Sequence, residues 1–299
     1  MRRTCIFAII SAVALTLITP ADAASGPKTT RLSTLVQIRA AHHPGFDRVV
    51  FRFEGRVPPS RVRYVNRLIG DPSGLAVPVP GRALLQVTMR DARAHDAGGT
   101  TVSHRNTFRL PNAMSIIRSG DFEGVVTYGI GLSARQPFNR FTLTNPSRIV
   151  VDVETGFRTE PRRVFLIDDF RVEDGTPPYV RAVSRRVRPQ TPATGVMDRL
   201  FAGPTPFEAE SGLRPPTFPS PTARSGATGF DDLTIRNRIA RVRLTGGCDS
   251  GGSTVTIANE IFPTLRQFDN VDFVKIYSPA GNTAQPFGPS DSIPACLEP

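Results

Sequence analysis

The stretch "DRVVFRFEG", residues 47–55, constrains the fold more than any other single feature. In an extended chain Val49, Phe51 and Phe53 fall on one face, and Arg48, Val50 and Arg52 on the other. A period of two in β-branched and aromatic residues predicts a half-buried strand with a basic outer face. "RALLQVTM" and "RFTLTN" behave similarly, and "SRIVVDVE" alternates through Ile149, Val151 and Val153. Turn clusters such as "GDPSG" and "HDAGGT" separate these runs. Residues 35–154 contain no convincing long helix, and short strands at this spacing predict a β-sandwich.

The pattern changes after the joint "TGFRTEPRR". "VFLIDD" reads as a short strand. "TGVMDRLFAG" has helical spacing, with Val196, Met197 and Leu200 on one side and Gly203-Pro204 as the stop. "GLRPPTFPSPTARSGATG", residues 212–229, reads as a long loop, and "LTIRNRIARVRL" as two strand-like runs. "TVTIANEIFPTLRQF" predicts an amphipathic helix through Ile257, Ile261, Leu265 and Phe268, which Pro263 would bend or delay. "VDFVKIYSP" is a final strand. Strands alternating with helices imply a small α/β domain. The expected fold class is α+β, a mainly-β sandwich followed by that smaller domain.

"MRRT" and the apolar run "CIFAIISAVALTLIT" precede "ADA", which ends at Ala23. A run this short with these flanks predicts a signal peptide over 1–23, with a retained anchor as the alternative. No second long apolar run follows, so a soluble, exported chain is expected, without a transmembrane segment after cleavage. Only Cys248 and Cys296 remain beyond the leader. An even pair in an oxidising compartment predicts one disulfide, with two free thiols as the alternative. The formal net charge is +11, and among the 37 Lys plus Arg only Lys28 and Lys275 are lysines. Such a chain can meet anionic envelope polymers. The arginines are scattered, with no basic tail or helix, which argues against nucleic acid.

Residues 246–253, "GGCDSGGS", contain the "DSGG" that surrounds the nucleophilic serine of trypsin-like proteases, and "RAAHHP" resembles their histidine segment. A hydrolase built this way would use Ser250 with His42 or His43 as base. Cys248 replaces the glycine whose N–H serves the oxyanion hole, and few residues precede His42 to build barrel strands. The reading preferred here is a strand-to-helix turn in which Cys248 forms the disulfide and Asp249 or Ser250 caps a helix. His42, His43, His95 and His104 lack a Cys or carboxylate at tight metal spacing, so no metal is expected. "YGIGL" lacks the third glycine of a dinucleotide site, and no cofactor is expected. Asp168-Asp169 and Asp231-Asp232 are adjacent pairs, which on a strand point to opposite faces.

Five blocks, "HPGFDRVVFRFEG", "YVNRLIGDPSG", "GRALLQVTMRDARAH", "GDFEGVVTYGIGLSARQPF" and "NPSRIVVDVE", resemble in order the AMIN-like domain of exported bacterial proteins. "VFLIDD", "DRLFAGPTPFEAESGL" and "TLRQFDNVDFVKIY" resemble the GerMN domain of germination and sporulation proteins. The resemblance implies an exported, actinobacterial envelope protein whose partners are peptidoglycan, another anionic wall polymer or an envelope protein. It implies no catalytic residues. The expected divisions are a signal peptide (1–23), a disordered stretch (24–35), an AMIN-like sandwich (36–155), a linker (156–162), a GerMN-like domain (163–282) and a tail (283–299). The expected function is non-catalytic binding, with a hydrolase using Ser250 and a pure protein-interaction scaffold as alternatives. The expected ligand contacts are Arg48, Arg52 and Arg148 as guanidinium grips and Tyr128 as a stacking surface; Cys248 and Cys296 form the staple.

Overall fold

The computed structural model describes residues 32–214 and 225–299, so the expected leader and most of the expected Pro-rich loop lie outside the described residues. Residues 32–299 cluster as one compact unit.

The first half is a sandwich of two five-stranded sheets, as its alternation requires. Its elements are β1 (Ser33–His43), β2 (Phe46–Glu54), β3 (Ser60–Val65), β4 (Leu68–Ile69), β5 (Ala76–Val77), β6 (Ala83–Arg90) and β7 (Ala92–Arg93). There follow β8 (His95–Asp96), β9 (Gly99–Thr100), β10 (Arg105–Thr107), β11 (Ala113–Phe122), β12 (Val125–Leu132), β13 (Phe138–Thr144) and β14 (Ser147–Glu154). One sheet has the order β13-β14-β2-β1-β7 and the other β10-β11-β12-β6-β3. Val49, Phe51, Phe53, Ile149, Val151 and Val153 of the first meet Leu85, Val87, Ile116 and Ile130 of the second in one core. The "YGIGL" glycines serve packing: a Cβ on Gly131 would stand 2.2 Å from the Pro80 carbonyl oxygen, and one on Gly129 2.7 Å from Leu68.

Of the stretch expected to be disordered, residues 24–31 lie outside the described residues, and residues 33–35 are strand instead. Ser33, Thr34 and Leu35 are buried at the start of β1, where Thr34 pairs with Glu54 and Ser33 pairs with Ala92 of β7. The register between β1 and β2 slips between Leu35 and Gln37. Leu35 is buried in the core, and Ile38 and Ala40 beyond the slip pack against it half-buried. The bulge thus reverses the phase of β1 and turns Gln37 and Arg39 outward.

The second domain contains β15 (Glu160–Ile167), α1 (Asp169–Glu173), β16 (Val180–Val187), α2 (Pro192–Ala202), α3 (Pro206–Glu210), β17 (Ala227–Arg236), β18 (Ile239–Gly246), α4 (Ile257–Arg266) and β19 (Phe273–Tyr277). β15 begins at Glu160, inside the expected linker, and β17 begins at Ala227, inside the expected loop. β17 and β18 are antiparallel, and β18 and β19 parallel. Helix α4 runs through Pro263 and buries Ile257, Ile261 and Leu265. Thr256 caps it in a capping box with Asn259, so neither Asp249 nor Ser250 is its cap.

Helix α4 also seals the free edge of β15. Backbone N–H groups of Arg163, Phe165 and Ile167 donate to side chains of Gln267 (3.0 Å), Thr264 (3.0 Å) and Glu260 (2.9 Å). Every second residue of the strand meets a side chain three or four residues along the helix, so helix side chains replace a neighbouring strand.

The two domains are clamped together at the end of α2. Its last carbonyls, Phe201 and Ala202, accept from Arg105 of β10 at 2.7 and 3.1 Å, and Ala202 also accepts from the Thr107 hydroxyl at 2.6 Å. These carbonyls lack partners within the helix, and a cation there also favours its dipole. From α2, the buried Arg199 reaches back to the carbonyls of Leu110 (2.6 Å) and Pro111 (2.9 Å). Asp198 pairs with Arg82.

Candidate functional site: a basic face on the first sheet

The outer face of the β13-β14-β2-β1 sheet gathers arginines from three strands. Arg148 of β14 lies directly opposite Arg52 of β2, and Arg52 lies opposite Gln37 of β1. Arg39 faces Val50. Gln37, Arg39, Val50, Arg52, Pro146 and Arg148 line one groove of about 310 Å³. Arg148 donates to the carbonyls of Pro146 (3.2 Å) and Asn145 (3.4 Å), which steadies its guanidinium on its own turn. Among the described residues, none of Arg39, Arg52 and Arg148 forms an ion pair with a carboxylate. Like charges directly opposite one another destabilise a sheet, so Arg52 and Arg148 repel one another.

Arg48 stands further along β2 and is different. Its guanidinium grips Asp152 through two bonds of 2.7 Å and lies against the rings of Phe46 (5.1 Å) and Phe141 (5.4 Å). The Asp152 hydrogen bond raises its pKa. Arg48 is a neutralised strut beside the groove, and His43 stacks on Phe46 at 5.0 Å to extend the ledge.

Tyr128 is no stacking surface. It lies on β12, between β11 and β6, with 0% exposure, and its ring is tilted against Phe51 at 5.8 Å in the inter-sheet core. Burial raises its pKa, while the nearby Arg118 pulls the other way. Its neighbour on β12, Thr127, takes the outward phase. Arg39 was missed for the opposite reason: strict alternation from Leu35 would turn it inward, and the bulge at residue 36 turns it out.

Cys248 and Cys296 are joined, with Cα atoms 5.6 Å apart. The tail is held a second time by Lys275 of β19, whose ammonium donates to the Phe287 carbonyl and the Ser290 hydroxyl, both at 3.3 Å, and to the Gln285 carbonyl at 2.5 Å. In the turn between them Asp249 accepts from Gly251 N–H (2.8 Å) and Ser250 from Gly252 N–H (3.2 Å). The histidines lie on the other domain: His42 bonds Asp47 and His95 bonds Asp121, each at 2.8 Å. Asp231 and Asp232 both reach Arg243, because a bulge with Asp232 at φ 49° breaks the alternation there. Among the described residues no group of three His, Cys, Asp or Glu is arranged to hold a metal, and no helix is long and apolar enough to cross a membrane.

The chain is thus a β-sandwich joined to a small α/β domain, with Arg39, Arg52 and Arg148 grouped on the outer face of the first sheet. Residues 33–155 match the family model of the AMIN-like domain, and residues 164–278 match the Germane model, described as sporulation and spore germination. The chain therefore carries an AMIN-like domain followed by a Germane (GerMN) domain, in the order its sequence blocks indicate. No curated protein and no solved structure matches it.

Proposed function

We propose that this is a non-catalytic, exported envelope protein that binds an anionic wall polymer through the outer face of its first sheet. An AMIN-like domain points to cell-wall or envelope binding, and a Germane domain to a sporulation or germination setting. The observation that carries the reading is the groove lined by Arg39, Arg52 and Arg148, none of which forms an ion pair with a carboxylate among the described residues. Guanidinium groups arranged in this way grip anionic oxygens by paired N–H donors. The leader over 1–23 supports export.

The test is co-sedimentation of the purified chain with insoluble peptidoglycan sacculi, beside fluorophosphonate labelling at Ser250. Sedimentation that weakens in Arg52→Gln and Arg148→Gln supports the reading. Labelling abolished by Ser250→Ala overturns it in favour of a hydrolase. Absence from the pellet, with a cross-linked envelope protein instead, favours a protein-interaction scaffold.

A further inference from the structure

Resting on the reading that this face meets the envelope, we infer that the three-arginine groove is a phosphoryl site: the group it takes is a phosphate ester rather than a lone carboxylate. A carboxylate offers two oxygens in one plane, and one guanidinium fork satisfies both, as Asp152 does for Arg48 on this same face. The groove holds three guanidinium groups on three different strands, β1, β2 and β14. A tetrahedral phosphoryl group offers oxygens in several directions and can accept from all three. Its negative charge relieves the repulsion between Arg52 and Arg148, which stand directly opposite one another.

The rest of the groove fits an ester rather than a free ion. Val50 and Pro146 supply an apolar floor and flank for the carbon next to the ester oxygen, and Gln37 an uncharged amide donor. The groove is open on a sheet face, so a polymer can pass across it. Phosphoryl groups of this kind occur on phosphodiester-linked wall polymers and on anionic phospholipid headgroups.

The full chain is titrated calorimetrically with inorganic pyrophosphate and with acetate at equal ionic strength. Saturable binding of pyrophosphate only, weakened about tenfold or more in Arg52→Gln and Arg148→Gln, supports the site. Equal heats for the two anions, or unchanged binding in both variants, overturns it. Thermal melts confirm that these exposed-face variants fold. Native sacculi are then compared with sacculi stripped of phosphodiester-linked polymers by cold hydrofluoric acid. Equal retention by both overturns the phosphoryl assignment while the envelope reading stands. Retention by neither overturns the wall-polymer reading, while the calorimetry still reports on the groove. Retention by phosphatidylglycerol vesicles in place of native sacculi supports the phosphoryl chemistry and puts it on a lipid.

Discussion

Arg52 and Arg148 stand as direct cross-strand partners on the outer face of the first sheet, and among the described residues no carboxylate forms an ion pair with either. Four residues along β2, Arg48 has Asp152 as its cross-strand partner and is neutralised by it. One strand thus presents a filled guanidinium site and an unfilled one side by side. If the unfilled one costs stability, removing one charge should return it. Arg148→Gln is expected to raise the melting temperature slightly in low salt, by the equivalent of about 0.2–1 kcal/mol, and the gain should shrink in high salt. Paired thermal melts at two ionic strengths check this.

The carboxyl of Glu260 is fully buried, and burial pushes its pKa up to about 8, with the Ile167 N–H and the nearby Arg214 pulling the other way. The folded carboxyl keeps its proton up to about pH 8, while an unfolded one releases it near 4.5. Between those values the folded state binds more protons, so stability falls as pH rises through that window. Glu260→Gln retains an acceptor for Ile167 and removes the titration. It should match the parent near pH 4 and exceed it at pH 9 by on the order of a few kcal/mol, read from urea midpoints.

Arg199 is the main strut of the domain clamp. Arg199→Met leaves the Leu110 carbonyl without its partner, while the Pro111 carbonyl keeps the Ser133 hydroxyl at 3.0 Å, and should cost about 1–3 kcal/mol. A single unfolding transition should then split in two as the domains uncouple, which differential scanning calorimetry would show. Coincident transitions in the variant would mean that the clamp is not what couples them.

The disulfide closes a 48-residue separation, for which chain entropy gives a stabilisation of roughly 4 kcal/mol. Cys248→Ser with Cys296→Ser should lower stability by that order and expose residues after Tyr277 to proteolysis. Mass spectrometry of limited digests reads the second effect. Lys275 should still hold part of the loop, so cleavage is expected first beyond Ser290.

Much of the fold was legible in the sequence because its apolar residues keep strict periods. Val49, Phe51 and Phe53 alternate into the core as expected, and Val196, Met197 and Leu200 face inward on α2. The boundaries were less legible, since Ser33 to Leu35 and Glu160 gain strand pairing only from partners distant in sequence. The candidate site was half legible. Arg52 and Arg148 are outward by simple alternation, but the charge balance is set across strands. Nothing local to Arg48 announces that Asp152, 104 residues away, neutralises it. Tyr128 failed because β12 is a central strand and its phase could not be fixed from "VVTYGIGL" alone. Arg39 was hidden by a bulge, which periodicity cannot see.

The central claim is tested most directly by one binding measurement. The full chain and its Arg39→Gln/Arg52→Gln/Arg148→Gln variant are titrated against purified native sacculi at physiological salt, with melting curves showing that both are folded. The account predicts saturable binding by the parent and a loss of about a hundredfold or more in the variant, from three lost charge-assisted contacts. Equal binding by the two folded proteins would contradict it, and would place the envelope contact elsewhere on the molecule.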